Sequence, residues 1–593
     1  AVVFVCALAL ITVRPAALDT DTLRGNMTRK IAAWSGGQLA ISGPIRFSYF
    51  PTISVEAEQV QIQAPGRIPM VIEITAEKLR VDAGFWSLIW PNADLDRLVL
   101  DGAIVRLRQQ GATPDVAPPQ KDEFRLFKAL QESPVESVIL QRSKIVLAGE
   151  QREETIELAS GNIRIYGGTG AVTTTGKATW RERSLTFAFT ADAPRIDKGT
   201  AAIPVRLTAE SPIASASMEA MATVASGIQL AGKMDVNIAD LSQFARWLGL
   251  LLPEDSRPHR FVASGSFDWD KDLLGFDDGT FVLDGNKAIG TMAVKFAETR
   301  PRIEGTLAFQ RFELPLLPAD SGTPKPKSAP STDGFAWMHH FDADLRISTV
   351  SLATPALEIG QAAIATVLRS GQLDADFAVL DLCGGKANGR VEYNAAVPEG
   401  RARLVTNIDD LSAKRCLTSL AGSSPVRGVA RISADITSDG RNFAALMERL
   451  AGSVSVSLSE AEVDVDVSRI VPLASKSDVK GWAPLLGRST TLTKLDGQFV
   501  LRRSIAYSNA LTLETPEKAT LTAEGTTDLA TGDVDYFVVV ENVPTTAGNA
   551  ESTAQPPRLH VSGSWLRPNF QLERMRAGSR DTPSLNQTLT QFD

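Results

Sequence analysis

The stretch Gly440–Val467, GRNFAALMERLAGSVSVSLSEAEVDVDV, decides how the rest of the chain is read. Phe443, Leu446, Met447 and Leu450 fall at i, i+3, i+4 and i+7, one face of a short helix packing on a sheet. Asn442 is placed to cap its start, and Gly452 to end it in the left-handed conformation. The period then changes from helical to alternating. Val454, Val456 and Leu458 alternate with Ser453, Ser455, Ser457 and Ser459, which predicts a strand with one apolar and one hydroxyl face. After Ser459–Glu460 the apolar positions move to Ala461, Val463, Val465 and Val467, with Asp464 and Asp466 between them. That change of parity predicts a turn joining two antiparallel strands.

The same grammar recurs on both sides. Residues 38–48 and 53–63 alternate around a corner at Pro51, and Leu373, Ala375, Phe377 and Val379 give another one-sided strand. NIADLS at Asn237–Ser242 and NIDDLS at Asn407–Ser412 each lead from a strand into a helix, with Asp240 and Asp410 as N-caps. Two related modules are the inference. Further helices are expected over 19–34 and 124–130. Pro-rich stretches at 111–120 and 315–334 are too polar for a core, and the second divides the chain into halves. The expected organisation is a partial transmembrane anchor at 1–13, a β-rich region at 19–314, a linker at 315–334, a β-groove region at 335–573 and a flexible tail at 574–593.

Composition removes several function classes. With 61 Lys and Arg against 69 Asp and Glu the net charge is −8, and no basic block stands out, so nucleic acid is not an expected partner. Cysteine occurs three times, at 6, 383 and 416, without C-x-x-C spacing. Cys383 and Cys416 could pair in an oxidising compartment; sequence leaves this open. The apolar run AVVFVCALALITV before Arg14 is shorter than the ~20 residues a span needs. It reads as a truncated membrane anchor or a signal-peptide core, with the anchor preferred. Four histidines make no chelating set, and Asp268, Asp270 and Asp272 lack the glycine and glutamate of a calcium loop. No nucleophile-and-base motif is present. The expectation is a non-enzymatic protein with no catalytic residues, metal or cofactor.

Roughly thirty one-sided strands and five or six short helices leave more apolar face than the helices can cover. Closure into a solenoid or barrel, sandwich packing, or an open trough filled by a ligand all remain available. A trough would suit lipid: a diacyl chain pair of about 30 CH₂ groups gains ~24 kcal/mol on leaving water at ~0.8 each.

In order along the chain, G-x-L-x-I-x-G-x-I at Gly37–Ile45 with Phe50-Pro51, the segment 95–107, the 373–393 segment with Gly384-Gly385 and Gly389, the helix and strands of 440–467, Gly525-Thr526 with Asp528-Leu529, and Gly563-Ser564-Trp565 with Pro568 resemble the AsmA family of bacterial envelope proteins. Ser564 stands where the family's closing motif has threonine. The resemblance implies a mainly β fold, an extended, curved antiparallel sheet forming an elongated groove related to bridge-like lipid transfer proteins. It also implies an inner-membrane anchor, a periplasmic body, and phospholipid guided between inner and outer membrane. Leu373, Phe377, Val454, Val456, Leu458, Val463, Val465 and Val467 are then lining candidates. Partners would be phospholipids, the inner membrane and an outer-membrane or periplasmic protein. A periplasmic scaffold for outer-membrane protein assembly is the alternative, and a carbohydrate-active solenoid enzyme the remote one.

Overall fold

The computed structural model describes residues 38–48, 53–64, 70–83, 95–109, 131, 133, 135–148, 153–197, 200–224, 228–249, 259–296, 300–313, 334–353, 357–422, 424, 426–466, 469–516, 520–541, 558–565 and 567–573. Among these lie thirty-two strands and four α-helices, α1 (Leu241–Leu248), α2 (Ala413–Ala421), α3 (Phe443–Glu448) and α4 (Ile470–Ala474). The protein is mainly β. The helices expected over 19–34 and 124–130, the anchor at 1–13 and the tail at 574–593 lie outside the described residues. No helix among the described residues is long and apolar enough to cross a membrane.

Two compact units divide the chain, the first from residues 1–250 and 257–284, the second from 251–256 and 285–593. The expected linker at 315–334 lies, except for Gly334, outside the described residues. The strands on either side of it, Arg302–Glu313 and Asp342–Ala353, pair with each other inside the second unit. Their pairing is parallel, which corrects the expectation of a wholly antiparallel sheet. In the first unit Val135–Ala148 likewise runs parallel to Leu95–Asp101 and Ile104–Gln109. Parallel neighbours need a crossover of a dozen or more residues. Both Pro-rich stretches fall in the connections that make these crossovers.

The first unit holds a packed core in which Val60, Leu79, Leu98, Leu100 and Val135 are all but removed from solvent. Their strands each carry apolar residues on one face, so neighbouring strands stack them into one cluster.

In the second unit the opening stretch folds with one change. Asn442 caps α3 as expected, its side-chain oxygen accepting from the Ala445 N–H at 2.9 Å. The helix ends at Arg449, not Gly452, which sits inside the following strand opposite Ile436 and Leu501. A Cβ on Gly452 would lie 2.1 Å from the Asp435 carbonyl oxygen, so glycine serves close strand approach there. Ala451–Val463 is one continuous strand. Glu460 takes φ 53°, and Glu460 with Ala461 opposes the single residue Gly428. The parity change is therefore a β-bulge and not a turn. By absorbing one residue, the bulge returns Ala461 (0 % exposed) to the face of Leu458.

Candidate functional site

Strand register in the second unit assembles residues that lie far apart in sequence. Reading partners from strand to strand gives one row: Gly290, Leu307, Ile347, Ile364, Phe377, Gly389, Thr406, Ala434, Val454 and Phe499. It crosses ten strands, about 43 Å at ~4.8 Å per strand spacing. No charged residue interrupts it. On one side runs a parallel row that includes Leu345, Val391, Leu404 and Ile436; on the other, one with Leu380, Ile408, Ile432 and Val456.

Most of the middle row is neither sealed nor free. Leu307, Ile347, Ile364, Phe377, Ala434, Val454 and Phe499 are all half-buried. The ring of Phe377 lies over Gly389, where a Cβ would come 2.7 Å from its Cζ, so the ring rests along the sheet instead of standing across the lane. Thr406 is buried, and its hydroxyl donates to the Asn388 carbonyl at 2.9 Å. Thr349 in a flanking row donates to the Ser351 carbonyl in the same way. Both hydroxyl protons are spent on backbone, which makes these positions compatible with an apolar surface.

The strand ends beside the lane are roofed. At one end Leu368, Leu373 and Tyr393 pack with Met338 from a 3-10 turn at Ala336–His339, joined by Leu446 of α3. At the other, Leu411, Ala430 and Leu458 pack beneath Ala413 and Cys416 of α2. Cys383 and Cys416 are disulfide-bonded across 33 residues, which ties α2 to the turn after the Gln372–Leu382 strand. Beyond this, α4 closes a third cluster around Val465, Leu485, Leu559 and Phe570.

The expected site residues thus separate into groups. Phe377 and Val454 share the middle row, and Val456 lies in the row beside it. Leu373 belongs to the roofed end. Leu458 (5 % exposed) and Val465 (2 % exposed) are core residues of two different roofed clusters, and Val463 packs between those clusters. Val467 lies outside the described residues. Of the helix face, Leu446 packs on the roofed end, whereas Phe443 (49 %) and Met447 (46 %) are exposed. Leu450 is half-buried, its N–H donating to Ser504 Oγ. Leu307, Ile347, Ile364 and Phe499 were missed. Each alternates within its own strand, but their union depends on register, which bulges near 359–364 and 377–380 displace.

The opposite face of the same strands is rich in ion pairs, with Ile289, Val350, Val405 and Val500 exposed among them. Arg403 makes two hydrogen bonds to Asp435, at 3.1 and 2.9 Å, which hold that carboxyl below the usual range. Arg431 donates to Asp409, and Arg390 lies among Asp374, Asp376 and Glu392. Among the described residues no group of three or more His, Cys, Asp or Glu is arranged to hold a metal.

Fold and lane together define a mainly β protein whose second unit carries a partly open apolar face. A 93-residue stretch is 26% identical to Protein AsmA of Escherichia coli (strain K12), covering 16% of this chain and 15% of that protein. No protein-family model matches the chain, and no solved structure matches it.

Proposed function

We propose that the second unit holds the acyl chains of phospholipids along the apolar lane and guides them across the cell envelope, without catalysis. The observation that carries this reading is the ten-strand row through Phe377 and Val454, half-exposed between two roofed strand ends. Covering such residues with acyl chain stabilises by ~25 cal/mol per Å² of apolar area removed from water, and headgroups would remain outside in water. The partial similarity to AsmA supports an envelope role. The Cys383–Cys416 disulfide supports an oxidising compartment such as the periplasm. In this reading residues 1–13 belong to an inner-membrane anchor, and a protein partner receives the chain at the far membrane.

The test is lipid extraction and native mass spectrometry on the chain from Asp19 onward, purified without detergent. Phospholipid should co-purify, and Phe377→Asp with Val454→Asp should deplete it in a protein that keeps its β-sheet circular dichroism. A folded, lipid-free wild type would contradict the reading and favour the scaffold alternative. Val465→Asp is unsuitable, because a charge at that core position unfolds the α4 cluster.

A further inference from the structure

The first unit carries a cleft that the lipid reading does not use. Its volume is about 460 Å³, within the range of small-ligand sites. Most of the side chains that line it stand on the face opposite the apolar core, whereas Phe187 reaches it from the core side. One row runs Gln141, Ser160, Lys177, Thr186 and Glu210 across five strands, and a second runs Ile139, Asn162, Thr175, Ala188 and Thr208.

Local sequence explains the hollow. The strand register shifts between Leu158 and Ser160, and Gly161 then faces Gly176 across the pair. Neither carries a Cβ, and the Phe187 ring occupies the core side of Gly176, where a Cβ would lie 2.7 Å from it. The cleft lies at this pair of glycines.

Among the described residues, Asn162 accepts from Ser137 Oγ at 3.2 Å. The cleft's hydroxyls, the Gln141 amide, Lys177 and Glu210 have no side-chain partner there. The polar face of the second unit differs, since its arginines are engaged by carboxylates. One base and one acid, on strands that are not neighbours, do not suit a phosphate-rich ligand. A peptide would need a free sheet edge or side-chain pockets, and the hollow lies mid-sheet. Hydroxyl and amide groups that both donate and accept, interleaved with the apolar Ile139 and Ala188, match a ligand that carries hydroxyls on an apolar ring. We propose that this cleft binds an uncharged oligosaccharide, independently of the lipid lane.

The test is saturation-transfer NMR and calorimetric titration of the whole chain with maltotriose and with triacetylchitotriose. Binding of at least one sugar is expected. Lys177→Ala with Thr186→Val should weaken it about tenfold or more, as the loss of two hydrogen bonds implies. Thr175→Val, an isosteric change at an exposed position, should weaken it less, with the thermal melt unchanged. Arg390→Ala, on the polar face of the second unit, should leave it unaltered. The proposal is overturned if a folded protein binds neither sugar, or if the cleft variants bind as the wild type does.

Discussion

NIADLS at 237–242 and NIDDLS at 407–412 differ by one residue and fold differently. In the first, the strand stops at Ile238 and Asp240 caps α1, accepting from the Gln243 N–H at 3.0 Å. In the second, the strand continues to Ser412, which caps α2 instead, while Asp410 takes φ 57° as a bulge residue. The expected N-cap at Asp410 is therefore corrected. Asp409, replacing Ala239, receives a hydrogen bond from Arg431 on the neighbouring strand and helps hold the backbone extended. The bulge then turns Leu411 into the core beneath α2. The two helices are also anchored differently. Trp247 of α1 packs edge-on to Trp180 at 4.8 Å and donates its indole N–H to the Trp180 carbonyl, whereas α2 is tied by a disulfide. Similar hexapeptides start a helix in both units, but residues outside the hexapeptide decide how that helix is held.

The largest effect should come from breaking the covalent tie. Cys383→Ser with Cys416→Ser releases a 33-residue loop and should cost the second unit roughly 3–4 kcal/mol. Hydrogen exchange should show α2 losing protection while α1 keeps it; equal losses would break the contrast. Next, Trp247→Ala removes the indole contact and hydrogen bond and should cost the first unit about 2–3 kcal/mol in denaturant melts, with α2 unaffected. A smaller pair has opposite signs. Asp410→Gly relieves a left-handed residue and should stabilise by up to ~1 kcal/mol, whereas Asp240→Gly weakens a cap by a few tenths.

The smallest effect is on pH. Hydrogen bonds, chiefly from the Gln243 backbone N–H, hold the Asp240 carboxyl below its ordinary range. A depressed folded pKa means that this stability is present above the ordinary carboxylate value and is lost as pH falls through the lowered one. Exchange of the first-turn amides of α1 should therefore quicken on acidification, and Asp240→Asn should remove that dependence.

Much of the fold was legible because alternation is local. Val454, Val456 and Leu458 announce which way a strand faces without reference to any partner. A bulge and a turn leave the same trace, however, since both shift parity by one residue; only pairing with Gly428 tells them apart at Glu460. Crossovers are visible as Pro-rich segments but read as a loop at 111–120 and a boundary at 315–334, because nothing local says that the next strand returns parallel. The lane itself was half visible. Phe377 and Val454 were named for alternation, but so were Leu458 and Val465, which helices roof. Which apolar residue is covered depends on elements distant in sequence.

If acyl chains lie on the Val454 face of the sheet, as proposed, alternation along the strand supplies the control. A photoreactive diazirine side chain can be placed at 454 or 456, and separately at 453 or 455, whose native serines are exposed on the opposite face. After irradiation in cells, mass spectrometry should find phospholipid adducts at 454 and 456 and none at 453 and 455. Equal labelling at all four positions, or labelling confined to 453 and 455, would contradict the lane.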